Sequence, residues 1–490
     1  MTTIQQSSGQ GALFELVARG KKDAYFLSEE STSVFPYDTS YNKTVPFITE
    51  RRTAVPTADT PFGSTFEVKL DVYGDLVTEC NLLIKLPSWL PDSLPLIVGQ
   101  QNSDSTTVNN YYWIKSSDGD ISYGYVNYPA YFLFAKIQFY SDQFLIQEWS
   151  GDSLLVTSAT EGSWASTFTD QVAAGMTPDS ARHTALRATP AVALRLKLPI
   201  PGVQTTGSGG FPLCCAADQN FRFRIQMRKL EDLIVSSDKQ LKPMPWLVPF
   251  FQYTADTIGG GLSSVTFSPK SRTAIENPTI LLETVQAYVP GNIRAKMINT
   301  HIKIPYKRHY ENVHTFGASD YISAQNDSTA SVQRRLDGRH PAERVVFFFR
   351  SSEALNTNYL NDFTNHKKDT GQFYKSITFV IAGKDREHKW TPQVFQDICA
   401  YAKDDRDSGL TIGELRWDLG DVWERERPFP RHPEGTVNFS TADKPTLFIT
   451  LEDVDINAVS GTKSTEMRVI IDSWSIFEFR HGRGTIMFSN

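Results

Sequence analysis

The chain has 490 residues, of which 40% are hydrophobic, 12% aromatic and 21% charged. This composition is typical of a globular protein rather than a disordered or fibrous one, and the length predicts two or three domains. The formal net charge is −6, so the protein as a whole does not attract nucleic-acid phosphates independently of sequence. A genome-coating role is therefore not expected, and we predict no direct nucleic-acid partner.

Cysteine usage and the N-terminal sequence both indicate a cytosolic protein. The chain has four cysteines, which are too sparse for a disulfide framework: Cys80, Cys214, Cys215 and Cys399. The first ten residues lack the basic and apolar regions of a secretory signal. No run approaches the roughly 18 uninterrupted apolar residues that a spanning helix needs. We expect a protein of a reducing compartment with no membrane span.

Alternation of apolar and polar residues with period two is the dominant pattern, and it predicts antiparallel strands with one buried face. In chain order, the predicted strands cover residues 66–72, 192–198, 221–227, 344–350, 377–381, 446–451 and 467–479. Arg344–Arg350 encloses five consecutive apolar residues, so we expect both faces of that strand to be buried inside a sandwich. The polar segment and proline before Thr446 are typical of a loop that leads into a strand at a sheet edge.

Helical patterns are few. A short helix is predicted after Trp149, another over Leu230–Val235, and a third from Thr391 and Pro392 to Tyr401. Long polar stretches at residues 99–110, 158–179, 205–210 and 317–331 are predicted loops, and loops of this length usually carry function or contacts. Many short strands with long connections favour an all-β fold of sandwiches or jelly rolls. A linker is predicted at residues 199–210 or slightly later, at 239–249, where prolines recur.

Six segments, from Gly11–Phe26 near the N-terminus to Gly484–Asn490 at the C-terminus, occur in the same order as in a known family. By these segments the chain resembles the major capsid proteins of nucleocytoplasmic large DNA viruses. At the N-terminus, Gly11–Phe26 matches most of a family pattern, Gly-Gly-Leu-x-Gln-Leu-Val-Ala-x-Gly-x-x-Asp-x-Tyr-Leu, with Asp23 and Tyr25 in place. The other similar segments are Gly74–Pro87, Tyr125–Leu154, Phe221–Ile234, Gly435–Leu451 and Gly484–Asn490. The resemblance implies a double jelly roll of two eight-stranded antiparallel sandwiches, with an arm over residues 1–30, a first jelly roll over 31–215 and a second over 216–490.

The resemblance also implies a structural function without catalytic activity. Members of the family form homotrimers with a pseudo-hexagonal outline, and these capsomers tile an icosahedral shell. The implied partners are copies of the chain itself, neighbouring capsomers, and minor capsid proteins beneath the shell near an internal membrane. The implied location is the virion capsid, assembled in a viral factory in the host cytoplasm.

Two aromatic loop segments are candidate interface anchors, because aromatic side chains are enriched in the cores of protein interfaces. An ordinary buried position in a loop is the alternative for each of them. The candidate residues are Tyr111, Tyr112, Trp113, Trp246, Phe250 and Phe251.

The sequence provides no support for a catalytic, cofactor or metal site. Nucleophile-elbow, phosphate-loop and dinucleotide-binding motifs are missing. The spacings of His301, His309 and His314 do not match a compact zinc motif, so we expect solvated histidines. Basic clusters at Lys303–His309, Arg334–Arg344 and 425–432 are interleaved with acidic residues. We interpret them as inter-subunit salt bridges or solvated faces rather than nucleic-acid contacts.

Three alternatives remain open at this point. The chain could be a lower-copy capsid paralogue, a β-sandwich protein that binds or hydrolyses carbohydrate, or a host-interaction protein that does not assemble. A carbohydrate enzyme would need two carboxylates placed about a glycosidic bond, which the sequence alone cannot locate.

Overall fold

The structure is a computed structural model. It describes residues 47–87, 97–98, 114–115, 123–126, 128–160, 193–203, 209–236, 251–258, 261–269, 277–317, 319–320, 331–360, 363, 374–381, 384–392, 412–417, 435–440, 445–451 and 464–487. The chain divides into two compact units, Met1–Phe47 and Ile48–Asn490. The described strands and helices all belong to the second of these, the main unit.

Strands make up most of the main unit. Those of its N-terminal part are β1 (Ile48–Ala54), β2 (Thr65–Lys69), β3 (Leu76–Lys85), β4 (Ile97–Val98), β5 (Ile114–Lys115), β6 (Tyr123–Tyr125), β7 (Phe134–Ser141), β8 (Phe144–Trp149), β9 (Ala193–Lys197), β10 (Phe211–Pro212), β11 (Phe221–Met227), β12 (Ile234–Ser236), β13 (Phe251–Ile258), β14 (Gly261–Pro269) and β15 (Thr279–Tyr288). Those of its C-terminal part are β16 (Ile302–Phe316), β17 (Ser331–Arg335), β18 (Pro341–Ser351), β19 (Tyr374–Ile381), β20 (Lys384–Trp390), β21 (Gly413–Arg416), β22 (Val437–Asn438), β23 (Thr446–Leu451), β24 (Thr465–Arg480) and β25 (Arg483–Ile486).

The described helices are short. The α-helices are α1 (Pro129–Phe132), α2 (Gly151–Thr160), α3 (Gly291–Asn299) and α4 (Ser352–Asn356), and single 3₁₀ turns cover Leu213–Ala216 and Leu230–Asp232. No helix among the described residues is both long enough and apolar enough to span a membrane.

The N-terminal part forms one sandwich of two antiparallel sheets. One sheet has the order β1-β15-β3-β9, with β10 also paired to β3, and the other has the order β2-β11-β7-β8. Apart from the two-residue β10, the two sheets contain eight strands. When these are numbered one to eight along the chain, they lie in the orders 1-8-3-6 and 2-7-4-5, which is the jelly-roll arrangement. Strands β11 and β15 complete these sheets, so the first sandwich extends past residue 215, where the sequence placed a boundary, to Tyr288.

The C-terminal part repeats the same arrangement. One sheet has the order β16-β24-β18-β21, with β22 paired to β18 and β25 to β24, and the other has the order β17-β23-β19-β20. These strands again lie in the orders 1-8-3-6 and 2-7-4-5. The chain therefore contains two jelly rolls, and the predicted all-β double jelly roll is confirmed.

The core of each sandwich lies between its two sheets, and β18 contributes to both cores. Val345, Phe347 and Phe349 are in the cluster of the second sandwich. Val346 and Phe348, on the opposite face of the strand, are in the cluster that fills the first. This division explains why a strand with alternating faces is apolar throughout. The prediction that both of its faces are buried is confirmed.

Most predicted elements are present, with small shifts at their ends. The strand predicted over 221–227 is β11, those over 192–198, 377–381, 446–451 and 467–479 are β9, β19, β23 and β24, and the helix predicted after Trp149 is α2. The helix predicted from Thr391 and the long polar loops lie largely outside the described residues.

Three local predictions are wrong. Only a 3₁₀ turn forms in the segment predicted as helix over Leu230–Val235, because the β-branched Ile234 and Val235 pair with β6. The strand predicted to reach Val72 ends at Lys69, and Val72 is 62% exposed. Strand β23 lies between β17 and β19 and not at a sheet edge.

Candidate functional site

The junction between the two sandwiches is the most heavily charged buried region among the described residues, and helix α2 positions its first group. The main-chain N–H of Ser153 donates to Oγ of Ser150, and that of Ser150 donates to Oγ of Ser153, both at 3.0 Å. This reciprocal pairing satisfies free N–H groups at the start of the helix in the manner of a capping box. It also fixes the backbone on both sides of Asp152.

Asp152 binds arginines from both sandwiches. Its Oδ1 accepts from Nη2 of Arg350 at 2.6 Å, and its Oδ2 accepts from Nη1 of Arg468 at 2.7 Å and from Nη2 of Arg228 at 3.5 Å. Arg468 also pairs with Glu311 at 2.8 Å. Arg350 and Arg468 belong to the second sandwich, whereas Arg228 belongs to the first. One carboxylate thus joins three cations across the junction.

The electrostatics keep this group ionised. Burial acts to raise the pKa of Asp152, but the guanidinium groups of Arg350, Arg468 and Arg228 outweigh it, and the pKa lies well below its ordinary value. Burial likewise acts to lower the pKa of Arg468, and the carboxylates of Asp152 and Glu311 reverse that effect. The cluster is therefore a set of mutually stabilised ions rather than a poised acid or base.

A second buried cluster surrounds Arg344, at the other end of α2. Its Nη1 donates to Oγ1 of Thr160, the last residue of α2, at 2.9 Å, and to Oε1 of Glu414 at 3.0 Å. Its Nε donates to Asp472, whose other oxygen lies 2.6 Å from Nδ1 of His309. Burial would raise the pKa of Asp472, but Arg344 and His309 hold it below its ordinary value.

These two clusters fix the direction of the helix. At the N-terminal end of α2, Asp152 contacts Arg350, which lies near the end of β18. At the C-terminal end of α2, Thr160 contacts Arg344, which lies nearer the start of the strand. Helix α2 therefore runs antiparallel to β18, across the face that carries Val346 and Phe348. The apolar centre of this face is bounded at each end by a buried arginine.

Direct contacts also join strand β8 of the first sandwich to β16 of the second. Nε2 of Gln147 donates to the carbonyl oxygen of Lys307 at 2.7 Å, and the hydroxyl of Tyr306 donates to that of Ile146 at 3.2 Å. Lys307 is itself buried and donates to Glu343 at 3.1 Å. We call this contact the β8–β16 junction.

Apolar and main-chain contacts extend the interface. The ring of Phe211, beside β3, lies 5.6 Å from that of Phe477 and 5.2 Å from that of Phe479, centroid to centroid. Gln219 forms two hydrogen bonds with the main chain of Gly484, of 3.1 and 2.6 Å. The two sandwiches are therefore joined by packing as well as by charge, over several elements of each.

One of the six predicted interface anchors lies within the described residues. Strand β13 begins at Phe251, and the other five candidates lie outside the described residues: Tyr111, Tyr112, Trp113, Trp246 and Phe250.

The three histidines considered as metal ligands lie on or beside β16 and have separate surroundings. His301 pairs with Glu478 at 2.9 Å, and His309 lies against Asp472. Burial and Arg334 lower the pKa of His314. Within the residues that the structure describes, no three potential ligands come together as a metal site. The expectation that the histidines are solvated is wrong for His309, whose side chain is 4% exposed.

The interpretation of the basic clusters is also corrected. Lys307 and Arg344 are neither on a solvated face nor between subunits, because they form buried ion pairs with Glu343 and Asp472 inside the chain. Arg334 pairs with Asp320 at 2.9 Å near the surface. The cluster at residues 425–432 lies outside the described residues.

Sequence reasoning missed the residues that form the junction. Asp152 was visible only as part of a helix start, and Arg344 and Arg350 only as ends of an apolar strand. Two signals were available: the Ser150-x-x-Ser153 spacing of a capping box, and an even separation of six residues between the two arginines, which places them on one face of β18. Their partners could not be identified without the fold.

The fold is similar to those of solved virus capsid structures. A quasi-atomic model of the PBCV-1 virus capsid has a TM-score of 0.58 and 13% identity, with 93% of this chain and 100% of that chain covered. PBCV-1 VP54, fitted into a reconstruction of the virophage Sputnik, has a TM-score of 0.60 with the same identity and coverage. The Faustovirus major capsid protein has a TM-score of 0.51 and 11% identity, with 91% and 92% covered. No protein-family model and no curated protein matches the chain. The likeness lies in the fold, which is the double jelly roll.

Proposed function

We propose that the protein is a structural capsid protein whose copies form trimeric, pseudo-hexagonal capsomers that tile an icosahedral virus shell. The observation that carries the proposal is the presence of two jelly rolls of identical strand order in one chain. The similarity in fold extends over the full length of the PBCV-1 capsid chain. Both observations concern the architecture of the chain, and the function of a shell component depends on its architecture.

The junction between the sandwiches supports this role. A capsomer is built from rigid units, and the buried ion clusters at the two ends of α2 hold the sandwiches in one arrangement. Three copies with two sandwiches each supply six similar units, so a closed ring of three chains approximates a hexagon. Closure of a cyclic assembly also removes free contact surfaces.

The chain organisation and partners form part of the same proposal. We propose that residues 1–30 act as an arm, and that the two jelly rolls divide within the segment of α3, between Tyr288 and Ile302. The pairing of β15 with β1 and β3 supports this division. The further partners are neighbouring capsomers and minor capsid proteins, the location is the virion, and assembly takes place in the host cytoplasm. The six aromatic residues remain proposed interface anchors, although Phe251 is the first residue of strand β13 and not part of a loop.

The test is the solution mass of the purified protein by light scattering, with negative-stain imaging of the same peak. We expect a mass of three times 55.1 kDa and particles with a pseudo-hexagonal outline. A protein that stays monomeric at high concentration would contradict the proposal. The copy number of the protein in purified particles then separates a principal capsomer from a lower-copy component.

A further inference from the structure

The first strands of the two jelly rolls occupy equivalent positions but have different surroundings. In the second sandwich, β8 covers the first half of β16 at Tyr306 and Lys307, which are 0% and 2% exposed. In the first sandwich, the equivalent strand β1 contains no buried residue. Within the described part of the chain, β15 is the strand that pairs with β1, and the outer edge of β1 pairs with none.

Exposed apolar side chains concentrate around this edge. Ile48 and Val55, at the two ends of β1, are 74% and 72% exposed. Tyr288, 36% exposed, is the partner of Ile48 in the β1–β15 register. Val72 is 62% exposed and precedes Tyr73, whose hydroxyl donates to the carbonyl oxygen of Thr284 on β15. We call these four residues together with β1 the β1 edge surface.

An edge of this kind is normally covered. A strand edge with free N–H and C=O groups is a template for pairing with another chain, and natural proteins protect or cover such edges. The β1 edge surface combines such an edge with exposed apolar side chains at the two ends of β1, and the charged residues Glu50, Arg51 and Arg52 lie between these ends.

The repeated fold identifies the occupant. Strand β8, which covers β16, is the fifth strand of the first jelly roll, and the fifth strand of the second jelly roll is β20, at the edge of its sheet in the described residues. We propose that the β1 edge surface binds the β20 edge of a second copy of this chain. This contact between two chains would have the same arrangement as the β8–β16 junction within one chain. First and second sandwiches would then alternate around a ring. The inference rests on the proposed function and specifies which surfaces of the trimer meet.

The contact is head to tail, with β1 of one copy on β20 of the next. Such heterologous contacts close into a ring when the rotation between copies is a simple fraction of a turn. The alternative, in which β1 of one copy meets β1 of another, would be a two-fold contact and would give dimers.

The first test is the mass of the double variant Ile48→Lys, Val55→Lys. Both side chains are exposed within one chain, so we expect unchanged thermal unfolding of the monomer but a fall in mass from three times 55.1 kDa to a single chain. The matched control is Phe144→Lys, which is 75% exposed at the opposite edge of the first sandwich and is expected to keep the trimer. If the wild type is trimeric and the double variant stays so, this inference is wrong while the proposed function stands. A monomeric wild type contradicts both.

The second test is cross-linking with a short bis-maleimide in a Cys399→Ser background. Thr49→Cys lies on β1 and Arg386→Cys on β20, and the other cysteines, Cys80, Cys214 and Cys215, are buried. We expect the chain with both substitutions to give covalent dimers and trimers, and each single variant to give neither. Covalent dimers from Thr49→Cys alone would show a two-fold contact and would overturn the proposal. So would a failure of the doubly substituted trimer to cross-link.

Discussion

The carboxylate of Asp152, in the first sandwich, accepts a hydrogen bond of 2.6 Å from the guanidinium of Arg350, in the second, and both side chains are at most 1% exposed. The two residues are 198 positions apart in the sequence. Taking two charges out of water is costly, and only good geometry and further hydrogen bonds compensate for it. Here Arg468 and Arg228 provide those further partners.

We predict that Asp152→Asn strongly destabilises the protein, because three arginines would then lie together without their shared carboxylate. Removal of one partner from a buried ion pair costs about 3–5 kcal/mol. The measurement is the free energy of unfolding in urea, followed by tryptophan fluorescence. The matched control is Glu79→Gln: Glu79 pairs with Arg51 and Arg195, but its side chain is 51% exposed. A change within about 0.5 kcal/mol is expected there, and equal losses in the two variants would contradict the prediction.

The two buried ion clusters predict the acid sensitivity of the fold. The pKa values of Asp152 and Asp472 are held below their ordinary value of 3.8 in the folded protein. As the pH falls, the unfolded chain therefore binds protons before the folded one does. The stabilisation is fully present above the unfolded pKa and is lost as the pH falls from about 5 toward the folded values.

Urea unfolding at a series of pH values checks this prediction. The wild type is expected to lose stability steeply below about pH 5. Asp152→Asn should start from a lower stability at neutral pH but show a shallower decline, since it removes one of the two buried carboxyl groups whose pKa is lowered in the folded protein. Identical slopes in the two proteins would show that Asp152 does not contribute to the acid transition.

Strand β18 illustrates what the sequence could and could not predict. Its five consecutive apolar residues indicated burial on both faces, and the structure divides them between two cores. The arginines that flank this run carried no comparable signal, because arginine is rarely fully buried unless it is paired. Their partners come from residues that are 198 and 128 positions distant. Local patterns therefore identified the strand, while the junction depends on contacts that only the folded chain brings together.

Strand β1 shows the opposite case. Its sequence, Ile-Thr-Glu-Arg-Arg-Thr-Ala, has no apolar alternation, and no residue of it is buried. Nothing local predicts a strand there. Seven consecutive register pairs with β15, more than 200 residues later in the chain, define it. This long-range origin also explains why its exposed edge was not recognised from the sequence.

Two glycines that begin helices are expected to differ in how well they tolerate alanine. The first is Gly151, the first residue of α2. A Cβ at this position would lie 2.1 Å from the carbonyl oxygen of Tyr131 and 2.8 Å from that of Phe134. Because both neighbours are backbone atoms, Gly151→Ala forces α1 or β7 to shift, and overpacking of this kind costs about 1–3 kcal/mol. Gly291, the first residue of α3, has no atom within 4 Å of the same position.

Gly291→Ala is therefore the matched control, with an expected gain of about 0.4–1 kcal/mol from the reduced freedom of the unfolded chain. Thermal unfolding of the two variants beside the wild type measures both effects. If Gly151→Ala unfolded at the wild-type temperature, the close approach of α2 to α1 would not be required for stability.

Substitution of Phe211 tests how much the apolar contacts of the junction contribute to the stability of the protein. Its side chain is 0% exposed, and its ring contacts Phe477 and Phe479 of the second sandwich as well as Phe221 of the first, at 5.0 Å between centroids. Phe211→Ala leaves a cavity between the sandwiches, which costs about 3–5 kcal/mol. Phe144→Ala, at a position that is 75% exposed, is expected to stay within about 0.5 kcal/mol. If Phe211→Ala were as stable as Phe144→Ala in urea, the ring contacts of Phe211 would not contribute to holding the two sandwiches together.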